Sequence, residues 1–244
     1  MDALAGAHEL LVHCLGEREG RHGEDPGDPS TVQAMQMALH LPKEDAPSRA
    51  EVLRDAAAAV VTLCLDPRAG EEGPWREALE RWYTHRIRKV ARRARNKAWV
   101  DVQALPGVTV GAARAFVPSA VRDVPHAIRK LQVRGTDLPA DGRAPLVDDS
   151  LPTLHVNAGL GMSAGKAAAQ VGHASMLLAA ALPLDVVRSW GGAGYGVNVV
   201  EAPATEVERL ATLDGTVAVR DAGFTEVAPD SLTVVGVPAR GGRA

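Results

Sequence analysis

Along the second half of the chain, short apolar runs alternate with stretches of helical spacing. Leu154 to Asn157 reads as a strand, Ser163 to about Ala181 as a helix, Val197 to Val200 as a strand, and Thr205 to Leu213 as a helix. Thr216 to Arg220 and Leu232 to Val237 read as two more strands. Such alternation predicts an α/β layered fold. The first half is less regular. Residues 31–41 and 48–65 read as helices, and Ser48 with Glu51 supplies a capping box at the start of the second. The end of that stretch, Val60 to Leu65, also suits a buried strand. Pro74 suits a first helical turn, so a third helix is predicted from about Trp75 to Trp99.

Two breaks divide the pattern. Residues 16–30 combine charge, glycine and proline with almost no apolar material and read as a loop or disordered segment. Residues 137–152 hold prolines and repeated acids and read as a linker. The expected organisation is therefore a partly disordered segment at 1–30, a first domain at 31–140 and a second at 152–240. The first domain is either helix-rich or a degenerate copy of the second. Placing Thr62–Asp66 over Thr153–Asn157, 91 residues apart, also brings Trp99 onto Trp190 and suggests two units of one ancestry. In that register Trp75 stands where the second unit has Lys166.

Composition narrows the function. Hydrophobic residues make up 46% of the 244 and charged residues 23%, which suits a globular chain. No charge-free apolar run reaches the roughly 18 to 20 residues that span a bilayer, so no membrane partner is expected. The start lacks a basic region followed by a continuous apolar stretch, and a cytoplasmic location is expected. Two cysteines exclude a disulfide framework and a four-thiolate zinc site, and the eight histidines show no paired ligand spacing, so neither metal nor cofactor is expected. The formal net charge of −3 gives no global attraction for a polyanion. A local one is expected on the third helix, where Arg88, Arg92 and Arg93 belong to a basic run. That run is either a solvated helix face or a grip on phosphates.

The candidate chemistry lies at two strand ends. Ser163 is placed to cap a helix, which puts Lys166 in its first turn, where the helix dipole disfavours a cation by about 0.3 to 1 kcal/mol. Lys166, Gln170 and His173 follow at helical spacing and share a face. The segment is not a Walker loop, because Leu160 stands where that pattern needs glycine and Ala167 where it needs Ser or Thr. Asp221 follows a later strand, either as a turn-forming carboxylate or as a neighbour of Lys166 in the crevice beyond the strand ends.

Gly165-Lys166 through Gln170 and His173-Ala174, together with Arg220-Asp221-Ala222-Gly223, Thr225, Ala228-Pro229 and Thr233, resemble the type 2 peptidyl-tRNA hydrolases over about residues 152–238. The resemblance implies a three-layer α/β/α domain with a four-stranded mixed sheet, and cleavage of the ester joining a peptide to the terminal ribose of tRNA. It implies Lys166, Asp221 and Thr225 as the catalytic residues. Gln170, His173, Arg220 and Thr233 then fall on the substrate side, with Arg88, Arg92 and Arg93 as added phosphate contacts. The implied partner is peptidyl-tRNA, and a homodimer stays open. Four positions depart from the family: Asn157 and Gly159 replace an arginine and an aspartate, Phe224 replaces an arginine, and Glu226 replaces a glutamine. They leave a second reading open, an inactive RNA- or protein-binding adaptor that keeps the fold.

Overall fold

A computed structural model of the chain describes residues 2–16, 24–140, 147–223 and 225–240. Parts of both expected breaks, residues 17–23 and 141–146, and the departure at Phe224 lie outside the described residues.

In chain order the elements are α1 (Ala3–Gly16), β1 (Gln33–His40), α2 (Arg49–Cys64), α3 (Pro67–Gly70), α4 (Pro74–Tyr83), β2 (Lys89–Ala94), α5 (Asn96–Val102), β3 (Gly107–Val110), β4 (Ala113–Phe116), β5 (Ser119–Ala120) and α6 (His126–Arg129). They continue as β6 (Thr153–Asn157), α7 (Ala164–Ala181), α8 (Leu184–Gly192), β7 (Asn198–Ala202), α9 (Ala204–Ala211), β8 (Val217–Arg220) and β9 (Leu232–Val237). The C-terminal strands and the helices α7 and α9 stand where the pattern places them; α8 is additional. Leu154, Val156 and Val234 pack toward α7, while Val235 and Leu232 pack under Val207 and Leu210 of α9, giving the three-layer α/β/α arrangement.

The N-terminal half differs from the sequence reading in three places. Residues 3–16, expected within a partly disordered segment, form α1. Ala7, Leu10, Leu11, Cys14 and Leu15 are buried at i, i+3, i+4, i+7 and i+8, the spacing of one helical face. Residues 33–40 form a strand where a helix is predicted. Ala, Met and Leu favour helices, yet β1 is the central strand between β2 and β4, with Met35, Met37 and Leu39 in the main core and Ala38 in a cluster on the other face. Burial on both faces removes the polar alternation that marks a strand. The long basic helix is also absent. The Thr84 hydroxyl bonds back to the Glu80 and Arg81 carbonyls as α4 ends, and Lys89 to Ala94 then pair in parallel with Met35 to His40. The basic residues are divided among α4, β2, α5 and the turns between them, with Arg88 just before β2 and Arg92 and Arg93 within it, so the three share no helical face. Val60 to Cys64 completes α2, with Leu65 as its C-cap, rather than forming a strand.

The two sheets repeat one topology. Their orders are β2-β1-β4-β3 and β7-β6-β9-β8, with β5 added to β1 in the first. In each, the opening strand pairs in parallel with the strand after the helix and antiparallel with the last, and the last two strands are antiparallel. The register is not the one read from sequence. Thr62 to Cys64 lies in α2, whereas the helix-capping serines Ser48 and Ser163, 115 residues apart, correspond. This register sets Glu51, not Trp75, at the Lys166 position, and Asp55 at the Gln170 position.

α2 and α7 pack face to face. The Ser175 hydroxyl donates to the Ala57 carbonyl at 2.9 Å, and a Cβ placed on Gly172 would lie 2.8 Å from Val60 Cγ2. Ala57 corresponds to Gly172 and Val60 to Ser175, so the two contacts exchange roles, as across a two-fold interface. One continuous apolar core therefore runs through both units.

Candidate active site

Three segments converge at the C-terminal ends of β6 and β8. Asn157 ends β6 and fixes the first. Its side chain donates to the Leu232 carbonyl and accepts from the Gly159 N–H, both at 3.0 Å. The chain then turns through Gly161, whose φ of +57° a side chain would strain. Ser163 caps α7 by accepting from the Lys166 N–H at 3.1 Å.

α7 presents Lys166 and, one turn on, Gln170. The Lys166 ammonium pairs with Asp221 Oδ2 and donates to Thr225 Oγ1 at 2.9 Å. Gln170 Nε2 donates to the same Oδ2 at 2.7 Å, while Gln170 Oε1 lies 2.9 Å from the Thr233 hydroxyl. The fully buried Thr233 hydroxyl also lies 3.0 Å from the Val219 carbonyl. A buried chain thus leads from β8 and β9 through Thr233 and Gln170 to the carboxylate. Lys166 and Asp221 side chains are only 12% and 11% exposed, so the pair is shielded but open to the surface.

The connection between β8 and β9, residues 221–231, supplies the other side. Asp221 closes its neck, its N–H donating to the Ser231 carbonyl at 3.0 Å and its carbonyl accepting from the Asp230 N–H at 2.7 Å. Asp221 Oδ1 accepts from the Gly223 N–H at 2.8 Å. Burial pushes the Asp221 carboxyl upward, but the Lys166 ammonium, the Gly223 N–H and the Gln170 amide outweigh it and hold the group below the usual carboxylate range. Asp221 is therefore an anion at neutral pH, and the site holds a fixed charge pair.

Three more residues serve the site, of which Thr136 and Arg49 lie outside the motif segments. Glu226 accepts from the Ser163 N–H at 2.8 Å and from its hydroxyl at 2.7 Å, which ties the loop to the start of α7. Thr136, from the segment after α6, accepts from the Gly165 N–H at 3.2 Å. Arg49, buried in the first turn of α2, bonds Glu201 at 3.0 Å and the Met162 carbonyl at 2.9 Å, just before α7. The Ser163, Gly165 and Lys166 amides at the start of α7 are thus engaged by Glu226, Thr136 and Ser163.

The remaining predicted residues lie apart from this cluster. His173 is half-buried on α7 beyond Gln170. Arg220 is exposed and donates to Asp230 within its own loop. Arg88 pairs with Glu24, and Arg92 donates to Gln36 at 2.9 Å and to the Leu131 carbonyl at 3.2 Å. Arg93 bonds Gln132 and, at 3.1 Å, the Gly135 carbonyl. Among the described residues no group of three or more His, Cys, Asp or Glu is placed to hold a metal, and no helix is long and apolar enough to cross a membrane.

Residues 152–241 match the family model described as peptidyl-tRNA hydrolase PTH2. A curated relative, "Probable peptidyl-tRNA hydrolase 2" of Schizosaccharomyces pombe (strain 972 / ATCC 24843), is 35% identical over 107 residues, covering 40% of this chain and 49% of that protein. The chain thus spans about half the length of this relative. No solved structure matches.

Proposed function

We propose, from the premise that residues 152–241 of this chain belong to the peptidyl-tRNA hydrolase family PTH2, that the cluster around Lys166 and Asp221 hydrolyses the ester between a peptide and the terminal ribose of tRNA. The observation that carries the reading is the meeting of the ammonium, the carboxylate and the Thr225 hydroxyl at one partly open point. An ammonium has three N–H donors, and two are directed at Asp221 and Thr225. The third is free for the oxygen of the scissile carbonyl, where negative charge develops as water adds.

Thr225 positions the attacking water, and the Asp221 carboxylate takes its proton as the new C–O bond forms. The ribose oxygen leaves with a proton returned from the same pair, giving free tRNA and a peptide acid. Gln170 and Thr233 fix the carboxylate from behind, and the family resemblance assigns substrate contacts to His173 and Arg220 in this proposal. Arg88, Arg92 and Arg93 belong to the surface that tRNA approaches, and a homodimer is an expectation for light scattering to read.

Turnover of purified peptidyl-tRNA by the full chain tests this reading. Lys166→Ala is expected to lower kcat by about 10²- to 10³-fold, the usual cost of losing a donor to a developing oxyanion, and Asp221→Asn by a similar factor. Equal rates in the wild type and both variants would leave only the adaptor reading.

A further inference from the structure

After α6, residues 131–136 run as an arm along the edge of the N-terminal sheet. The Arg93 N–H donates to the Gln132 carbonyl at 2.8 Å, extending the sheet beyond β2, and the Arg93 guanidinium holds both Gln132 and the Gly135 carbonyl. The far end is pinned where Thr136 accepts from the Gly165 N–H. Gly165 precedes Lys166. Arg134 is two residues from Thr136, a reach of at most about 7 Å of chain, so its backbone is fixed beside the start of the helix that carries the ammonium.

α6 and the arm carry a net positive charge: from His126 to Asp137 they hold Arg129, Lys130 and Arg134 against Asp137 alone. Lys130 bonds Asp101, but Arg129 and Arg134 are exposed and form no side-chain ion pair among the described residues. The C-terminal unit, residues 151–244, carries six basic and eight acidic residues, a net of −2. A polyanionic substrate therefore finds little long-range attraction from the unit that holds the site. The arm supplies the opposite charge at the site's border, on a backbone already tethered at both ends.

We propose that Arg134 binds a backbone phosphate of the tRNA next to the ester and Arg129, further back at the end of α6, one more distant from it, so that the N-terminal unit contributes a phosphate-binding edge to the site of the C-terminal unit. Arg93 acts in this edge as the strut that holds the arm. The proposal rests on the tRNA ester being the substrate, and its test separates the two readings.

Deacylated tRNA is the probe, its affinity measured across a salt series for the full chain, Arg134→Ala, Arg129→Ala/Arg134→Ala and Arg188→Ala, with peptidyl-tRNA kinetics in parallel. Arg188 lies on α8, beyond the far end of α7, and controls for overall charge. Each lost phosphate contact is expected to reduce the log-log salt slope by about 0.7 to 0.9, with KM raised several-fold, kcat unchanged and thermal midpoints equal. Unchanged slopes in the arm variants, or equal weakening in Arg188→Ala, overturn the edge while leaving hydrolysis standing. Arm-dependent binding without turnover in the wild type upholds the edge and removes the enzyme reading. Absence of both binding and turnover in the wild type overturns both.

Discussion

Asp55 of α2 and Gln170 of α7 occupy corresponding positions in the two units, and each reaches the connection between the last two strands of its own sheet. Asp55 Oδ2 accepts from the Ala112 N–H at 2.7 Å, while Gln170 Nε2 donates to Asp221 Oδ2 at the same distance. The partner differs because the connection does. β3 and β4 are joined by residues 111 and 112 alone, whereas β8 and β9 are joined by residues 221–231, long enough to carry Asp221 and Thr225. With Glu51 in place of Lys166 and no carboxylate-bearing loop, the first unit lacks both halves of the charge pair.

Gln170 is thus a support for Asp221, and Gln170→Ala tests that role. Removing one donor from the carboxylate raises its pKa toward the ordinary value of about 3.9. The acid limb of the pH–rate profile is expected to move to higher pH, with kcat falling by about tenfold at neutral pH. Stability follows the same sign. A carboxyl held low in the folded state contributes stability that is complete above about pH 4 and is lost as pH falls through the folded value. The variant is therefore expected to lose acid resistance less steeply, as read by unfolding between pH 2 and 5.

Glu226 stands where the family has glutamine, and its two bonds to Ser163 give it a definite task. Glu226→Ala releases the loop from the start of α7 and removes a carboxylate that complements the helix dipole by about 0.3 to 1 kcal/mol. Turnover is expected to fall about tenfold and the loop to become more open to proteolysis. Glu226→Gln keeps an acceptor for the Ser163 N–H and is expected to stay within about threefold of the wild type. Equal loss in both variants would show that the charge, not the tie, is what matters.

The legible part of this chain is the part whose signals are local. Ser163, Lys166 and Gln170 lie within eight residues at the start of one helix, and Asp221 directly follows a strand, so spacing places each segment at a strand end, although β9 separates β6 from β8. β1 was illegible because a strand buried on both faces, composed of Ala, Met, Leu and Gln, has no alternation and reads as a helix. The repeat reads in the wrong register for a related reason. The apolar run at 62–66 looks like β6, but the better marker was the pair of capping serines, which only a defined helix start makes comparable. Thr136 and Arg49 were invisible because they reach the site from the other unit, and no spacing along the chain encodes that approach.

Gly165 shows how that approach constrains the motif. A Cβ there would lie 2.6 Å from Thr136 Oγ1 and 3.1 Å from Thr136 Cβ, so the glycine makes room for a side chain of the other unit. Gly165→Ala is expected to cost about 1 to 3 kcal/mol by overpacking. Combining it with Thr136→Ala, which removes the closest atom, is expected to cost less than the two single changes added together. Urea unfolding of the four proteins in the double-mutant cycle measures that coupling, and additivity would show that the two residues do not press on each other.

Lys89 belongs to the interface rather than the site, and it makes stability depend on pH. Its ammonium lies 3.1 Å from Met176 Sδ on α7 and 4.9 Å from the Trp82 ring centroid, and neither neighbour is a carboxylate. Burial pushes the Lys89 amine down to about 7, against about 10.4 in an unfolded chain. Between those values the unfolded state binds more protons, so stability rises with pH. The penalty is complete below pH 7 and vanishes above about pH 10. Lys89→Met keeps the apolar stem and removes the charge. Its thermal midpoint is expected to exceed that of the wild type at pH 6 to 7, and the difference to shrink steadily toward pH 10. A constant difference across that range would mean that the amine does not titrate with folding.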